Sequence, residues 1–131
     1  MPLFRGAGSK MILACLPSAK QKRVFMKCRE RDRALASTQW EDIRSELRKI
    51  RRAGHAISIG ELEPTNVGIA APIFHDADAP AASLILVMTR TRYATSNQKL
   101  IAAIAMRAAE RITTRAEQRG NLELIDFGTA S

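Results

Sequence analysis

Apolar and polar positions along the chain change their spacing twice, which divides it into a helical first part, a strand-rich middle and a final helix. Between Thr38 and Gly54 the apolar residues recur every three or four positions, as on one face of an α-helix. They are Trp40, Ile43, Leu47 and Ile50. Thr38 and Glu41 have the spacing of a capping box, and Gly54 is a typical helix stop. The pattern predicts a helix between these signals.

Two shorter helices are predicted before this one. We expect Ser9 to cap a helix that runs from Lys10 to Leu16 and ends at Pro17. Ser18 and Gln21 have the spacing of a capping box for a second helix. Its apolar face carries Val24, Phe25 and Cys28. The charged stretch 29–36 is expected to be a loop or a frayed turn.

From residue 55 to residue 89 the apolar spacing is that of β-strands. Ile57 and Ile59 alternate with Ala56 and Ser58, which predicts a strand with one buried face. Residues 67–74 and 81–88 are almost continuously apolar, as in strands that are covered on both faces or lie at a sheet centre. The polar stretch 75–80 between them predicts a hairpin connection. Because proline cannot donate to a ladder, Pro72 is expected at an edge or a bulge.

A long final helix is predicted after the strands. Thr95 and Gln98 form a third capping box, and the helix should run to Gly120. Its predicted apolar seam consists of Leu100, Ile101, Ile104, Ala108 and Ile112. Residues 121–131 form a tail for which the pattern predicts no structure.

Composition narrows the class of protein. The chain has 131 residues, of which 46% are hydrophobic and 26% charged, which is typical of one soluble globular domain. No apolar run reaches the ~20 residues of a membrane span, so we expect no membrane association. Two cysteines, Cys15 and Cys28, exclude a disulfide scaffold and a cysteine-rich metal site. A reducing cytoplasm is the expected location.

The charge has two interpretations. The net charge is +8, although residues 55–89 contain no lysine or arginine. The run of arginines in the helix before Gly54 could contact nucleic-acid phosphates, and it consists of Arg44, Arg48, Arg51 and Arg52. The same run is also explained by a solvated helix face whose cations oppose the helix dipole. Aromatic residues make up only 5% of the chain, which disfavours a base-stacking surface.

The sequence contains few residue patterns that are typical of catalytic sites. His75 with Asp76 and Asp78 could hold a metal ion, but a polar hairpin turn explains them equally well. Cys15 lies among apolar residues of a predicted helix, where an inert buried thiol is expected. We therefore predict no catalytic residue, no metal site and no cofactor. A small enzyme using His75 and Asp76 is kept as a remote alternative.

A short glycine-containing loop, residues 6–10, leads into the first predicted helix. The first N–H groups of a helix have no partner within it, and small residues let a ligand approach them. Together with the helix dipole, these groups favour an anion such as a carboxylate near Ser9 and Lys10. The other interpretation is a plain tight turn with Ser9 as the cap.

Several segments together are similar to one known family. Residues 2–17, with Pro-Leu-Phe, a small-residue loop, Ser-Lys and Leu-Ala-Cys-Leu-Pro, resemble the segment that opens the second half of the effector-binding domain in IclR-family transcriptional regulators. The sequence Gly54-His55-Ala56, then Glu61-Leu62-Glu63-Pro64 and Ile69-Ala70-Ala71-Pro72, resembles the signature of the same domain. The resemblance covers about residues 1–120.

The resemblance implies a fold and a site. The expected fold is an α/β (α+β) GAF-like domain, in which an antiparallel sheet is flanked by helices and the N-terminal side is incomplete. The domain would bind a small organic acid and form a dimer or tetramer, while a separate winged helix-turn-helix binds the operator. By resemblance, the effector-binding residues would be Ala7, Gly8, Ser9, Ser58, Asn66, Gly68, Ile85 and Val87.

Departures from the family pattern bear on the effector. Phe4 replaces a usual histidine, Ser9 a glycine and Thr65 a frequent glycine, and residues 84–88 are apolar where serines are common. Because polar groups give such pockets their specificity, the departures predict either a more apolar effector or a pocket that no longer works.

Family members also carry a DNA-binding domain and further strands before the position that matches Met1. We therefore expect an open sheet edge that another chain could cover. The leading hypothesis is a non-catalytic sensing and oligomerisation module that acts as a homo-oligomer or joins a full-length paralogue. It would reach DNA only through a helix-turn-helix absent from this chain. The rival hypothesis is a small basic protein that binds nucleic acid without sequence preference.

Overall fold

A computed structural model describes residues 4–76 and 79–113 of the chain. In this part, four helices are followed by three strands and two more helices. The first four helices are α1 (Ala7–Cys15), α2 (Ser18–Arg31), α3 (Arg33–Ala36) and α4 (Trp40–Ala53). The strands are β1 (Ala56–Ile59), β2 (Asn66–Asp76) and β3 (Ala79–Thr89), followed by α5 (Arg90–Thr95) and by α6, described over residues 98–113.

The three strands form one antiparallel sheet in the order β1-β2-β3. β1 pairs with β2 only as far as the Ala56–Ala70 pair, so on that side β2 has no strand neighbour at Pro72. The register between β2 and β3 shifts next to Phe74. Pro72 thus lies at a local edge, as its missing N–H requires. The predicted hairpin loop 75–80 is too long, because β2 continues through Asp76 and β3 starts at Ala79.

Helices cover the sheet on both faces. On one face, Ala56 and Ala70 join the buried core formed by α1, α2, α3 and α4. On the other, Val67, Ile69 and Ala71 pack against α5 and α6. Adjacent β2 residues therefore face different cores, which explains why its sequence is almost continuously apolar. The expected antiparallel sheet flanked by helices is confirmed.

β1 buries the small residues of its alternating pattern. Ala56 and Ser58 are buried against α1, whereas Ile57 and Ile59 are exposed on the opposite face. The α6 side of the sheet packs on β2 and β3, so the isoleucines of β1 stay uncovered there. β1 has one buried face, as predicted, and that face is lined by its small side chains.

Neither of the first two predicted capping signals caps its helix. α1 begins at Ala7 with Gly6 at the N-cap, so Ser9 lies inside its first turn. Pro17 precedes α2 in place of Ser18, and Gln21 donates its side-chain amide to the carbonyl oxygens of Leu13 at 2.8 Å and Ala14 at 3.3 Å. The side chain of Gln21, predicted to cap α2, is used instead to satisfy buried carbonyl groups at the end of α1.

The beginning of α4 also differs from the prediction, while its end agrees. α4 starts at Trp40 with Gln39 at the N-cap, which leaves Thr38 and Glu41 without the capping-box geometry. Gly54 ends the helix with a φ of 77°, a left-handed conformation that glycine adopts without strain. The predicted loop 29–36 is wrong, because α2 continues to Arg31 and α3 follows.

α6 packs through its alanines. Ala105 and Ala109 are buried at 0% and 1% exposure, whereas Leu100 and Ile104 of the predicted seam are 55% and 51% exposed. Small side chains let the helix lie close to the sheet, which makes them the buried positions. Asn97 caps the helix by accepting a hydrogen bond from the Leu100 amide at 3.2 Å, so the predicted box of Thr95 and Gln98 is wrong. Residues 114–131, including the predicted tail 121–131, lie outside the described residues.

Across residues 4–76 and 79–113, the helices are too short or too polar to cross a membrane.

Candidate functional site

The N-terminus of α1 and the sheet face that packs against α1 form a cleft of about 410 Å³. Its walls come from α1, from the loop that links β1 to β2, and from all three strands. The lining residues are Gly6, Ala7, Gly8, Ser9, Ile12, Ser58, Glu61, Leu62, Glu63, Asn66, Gly68, Ser83, Ile85 and Val87. The volume is in the range of pockets that bind small organic molecules.

The structure brings together all eight residues that the resemblance assigned to effector binding. They come from the start of α1, from β1, from the start of β2 and from β3, and each lines this cleft. The resemblance did not identify Gly6, Ile12, Glu61, Leu62, Glu63 and Ser83 as lining residues. Five of these six belong to segments that carried the resemblance, so a signal was present for Gly6, Ile12, Glu61, Leu62 and Glu63.

Small residues set the distance between α1 and the sheet. A Cβ atom on Gly8 would lie 2.5 Å from Cδ1 of Ile85, and one on Gly68 would lie 3.7 Å from Cβ of Ala7. Gly6 has a φ of 86°, and a Cβ there would lie 2.7 Å from Cδ1 of Leu62. The small residues 6–8 therefore bring the backbone at the start of α1 into the wall of the cleft.

Glu61 ties this helix start to the loop after β1. Its Oε2 accepts a hydrogen bond from the Gly6 amide at 2.8 Å, and its Oε1 forms an ion pair with Nζ of Lys10. Ser58 donates a further hydrogen bond to the carboxylate. Nζ of Lys10 also lies 2.9 Å from Oε1 of Glu46 on α4. The carboxylate expected at this helix start is thus a side chain of the protein itself.

Both members of the ion pair are held in their charged forms. Burial alone would raise the pKa of Glu61, but hydrogen bonds from Lys10, Gly6 and Ser58 outweigh it and lower that pKa. Burial alone would lower the pKa of Lys10, but the hydrogen bonds and charges of Glu61 and Glu46 outweigh it and raise that pKa. The two directions agree, and each is that of a stable ion pair.

The rest of the lining is mostly apolar. Ile12, Leu62, Ile85 and Val87 supply large apolar side chains. The neutral polar groups are the hydroxyls of Ser9, Ser58 and Ser83 and the amide of Asn66. Among the described residues, the charged members of the lining are the carboxylates of Glu61 and Glu63. Such a surface can hold an apolar body and orient it through a few hydrogen bonds.

The side chains considered for catalysis or metal binding lie apart from the cleft or outside the described part. Burial raises the pKa of the Cys15 thiol, more than the nearby charge of Arg51 lowers it, so the thiolate is disfavoured. Nδ1 of His55 lies 3.3 Å from the Ala53 carbonyl oxygen. The side chains of His75, Asp76 and Asp78 lie outside the described residues. Within the described ranges, no three potential metal ligands come together.

The four arginines of the nucleic-acid alternative are exposed on α4, turned away from the core contacts made by Ile43 and Leu47. Nη1 of Arg44 lies 3.6 Å from Oε1 of Glu41, one turn earlier. Arg51 and Arg52 lie in the last turn, where cations oppose the helix dipole favourably. Their exposure agrees equally with a solvated helix face and with a phosphate-contacting surface.

Comparison with known proteins gives one family match. The model of the family described as "Bacterial transcriptional regulator IclR C-terminal" matches residues 1–114. No curated protein sequence matches the chain significantly.

Solved structures agree with this match. The chain is 30% identical to the C-terminal domain of a transcriptional regulator from Vibrio cholerae, with a TM-score of 0.67, and the likeness covers 84% of this chain and 63% of that one. An IclR transcriptional regulator from Silicibacter sp. TM1040 is 26% identical, with a TM-score of 0.70 and coverage of 88% and 46%. The transcriptional regulator YaiJ, at 20% identity, shows the same fold, with a TM-score of 0.77 and coverage of 88% and 66%. The chain thus spans less than two thirds of the length of each.

Proposed function

Since this chain belongs to the IclR C-terminal family of bacterial transcriptional regulators, whose domains bind effectors, we propose that it is a ligand-sensing module of such a regulator. The GAF-like α+β fold predicted from the sequence is confirmed by the family and by the antiparallel sheet. The main support for this proposal is the composition of the cleft. The eight residues assigned by resemblance come from separate parts of the chain and line a single cleft.

We propose that the effector binds in this cleft between α1 and the sheet. The resemblance favours an organic acid as the effector, but a carboxylate at the start of α1 would have to displace Glu61, which accepts a hydrogen bond from the Gly6 amide there. Ser58 and Asn66 are placed to orient a bound molecule, while Ile85 and Val87 supply apolar contact. We propose no catalytic role for the lining residues.

Paired variants on opposite faces of the sheet test this function. Val87 and Ile59 are both exposed apolar strand residues, at 64% and 51%, but only Val87 lines the cleft. Val87→Trp should fill the cleft and abolish small-molecule binding, measured by ligand-observed NMR, while Ile59→Trp should bind as the wild type does. Equal binding by the two variants would contradict the proposed site.

We propose that the protein forms a homo-oligomer or joins a full-length paralogue, whose activity it would lower. Exposed apolar side chains support this: Ile57 and Ile59 on β1, and Leu100 and Ile104 on α6. Sedimentation measured over a range of concentrations, and co-purification with a full-length paralogue, test the proposal. A chain that is monomeric at all concentrations and co-purifies with no paralogue would count against it.

We propose that operator DNA is contacted by a separate winged helix-turn-helix domain, as the resemblance implies. We also propose a cytoplasmic location, supported by the free thiols of Cys15 and Cys28.

Direct nucleic-acid binding through α4 is the second candidate, favoured by the exposure of Arg44, Arg48, Arg51 and Arg52 on one helix. It requires binding that weakens steeply as salt rises and has little sequence preference. A gel shift at two salt concentrations separates the two functions. The sensing function predicts no shift at either concentration, and a strong shift at low salt would favour the second candidate.

A further inference from the structure

The cleft already contains the negative charge that its helix terminus attracts. The Gly6 amide donates to Glu61 at 2.8 Å, and Lys10 is paired with the other oxygen of the same carboxylate. A ligand carboxylate directed at this terminus would have to displace Glu61 from both partners. Its binding would then replace one set of charge-assisted hydrogen bonds with another, with little net gain.

The charges around the cleft disfavour a second anion. Nζ of Lys10 already lies between Glu61 and Glu46, and its side chain is only 9% exposed. Glu63 adds another carboxylate to the lining. Among the described residues of the lining there is no arginine or lysine to receive a ligand carboxylate. An acid that left Glu61 in place would therefore meet like charge without a cation of its own.

The remaining surface suits an uncharged molecule. Ile12, Leu62, Ile85 and Val87 provide apolar contact, and the seryl hydroxyls and the Asn66 amide can donate to or accept from neutral groups. With its hydrogen bonds from Gly6, Lys10 and Ser58, Glu61 is satisfied within the protein, so it does not require a cationic ligand to neutralise it.

We infer that the ligand of this cleft is an uncharged, largely apolar small molecule with one or two hydroxyl, carbonyl or amide groups, in place of the organic acid favoured by the resemblance. This inference rests on the proposed effector-binding function of the cleft. It selects the more apolar effector from the two outcomes that the sequence departures left open.

Matched acids and amides test the inference on the complete chain. The probes are cinnamate with cinnamamide, octanoate with octanamide, and indole-3-acetate with indole-3-acetamide, so each pair differs mainly in charge. Dissociation constants are measured by ligand-observed NMR at pH 7.5. Each amide that binds should do so at least about tenfold more tightly than its acid, because the acid meets Glu61.

Two carboxylate variants identify the source of the preference. Glu61→Gln removes the charge at the helix terminus. It should abolish or reverse the difference in affinity between each amide and its acid. Glu30→Gln removes an exposed carboxylate of α2 that does not line the cleft, so the difference in affinity should persist. The fluorescence of Trp40 verifies that each variant is folded. The wild-type comparison alone remains decisive if Glu61→Gln does not fold.

The outcomes separate this inference from the function on which it rests. Wild-type acids that bind as tightly as their amides, or more tightly, would overturn the inference while leaving a functional cleft. An unchanged difference in affinity in folded Glu61→Gln would overturn the role given to Glu61. If none of the three pairs binds, or if binding survives in Val87→Trp, the proposed function itself is overturned.

Discussion

Replacing Glu61 with alanine should destabilise the fold, because this side chain joins the start of α1 to the loop after β1. The substitution removes the acceptor of the Gly6 amide and one of the two carboxylates at Lys10. Hydrogen bonds to charged groups contribute about 1.5–3 kcal/mol each. Lys10 keeps Glu46 at 2.9 Å, so the loss should stay below the ~3–5 kcal/mol of a stranded buried charge. We expect the free energy of unfolding to fall by about 2–3 kcal/mol.

Urea denaturation at pH 7 measures this change. Trp40 is the single tryptophan, and its ring centroid lies 5.5 Å from that of the buried Phe25, so its fluorescence reports on the α1–α4 core. Glu63→Ala is the matched control, because Glu63 is exposed in the same loop. The control should change stability by less than about 0.5 kcal/mol. Glu61→Ala with the stability of the control would refute the structural role assigned to this carboxylate.

The same ion pair predicts how stability depends on pH. The folded pKa of Glu61 is lowered by hydrogen bonds from Lys10, Gly6 and Ser58 that outweigh burial, so its contribution is present above the ordinary value of 4.5 and lost as the pH falls through the folded value. The folded pKa of Lys10 is raised because Glu61 and Glu46 outweigh burial, so its contribution is present below 10.5 and lost as the pH rises through the folded value. Stability of the wild type should therefore fall more steeply on acidification than that of Glu61→Ala. Parallel curves for the two proteins would contradict this assignment.

Two substitutions test other parts of the fold. Ala105→Leu should lower the free energy of unfolding by about 1–3 kcal/mol, because the larger side chain overpacks α6 on the sheet. Ile104→Ala, at an exposed position, should change it by less than about 0.5 kcal/mol. Thermal unfolding measures both changes, and a larger loss for Ile104→Ala would show that the predicted seam is the buried face. Gly54→Ala should cost about 1–2 kcal/mol, since its φ of 77° strains any residue with a Cβ atom. An unchanged melting temperature would show that the end of α4 accommodates a Cβ atom at position 54 without strain.

Patterns that depend on one element were predictable from the sequence. The left-handed stop at Gly54 and the apolar run of β2 follow from local rules, and the structure shows both. The predicted apolar seam of α6 was right for Ile101, which packs against the core, and wrong for Leu100 and Ile104, which are exposed. Ala105 and Ala109 can approach the sheet more closely than Leu100 and Ile104, which sequence periodicity ranked first.

Outside the glycine-containing segment 6–10, the cleft residues were predictable only through the resemblance. No spacing rule connects Ser58 with Val87 or Gly8, because the fold brings them together from separate elements. The roles of Glu61 and Lys10 were missed for the same physical reason. They lie 51 residues apart in the sequence, and their contact depends on how α1 packs against the loop after β1.

In the proposed complex, a small uncharged molecule lies between the start of α1 and the sheet. A two-dimensional ¹⁵N–¹H NMR titration with cinnamamide locates the binding site residue by residue. The largest shifts are predicted at the amides of Gly8, Ser58 and Gly68, which line the cleft on three different elements. Shifts confined to other surfaces, or no shifts at saturating ligand, would contradict the claim.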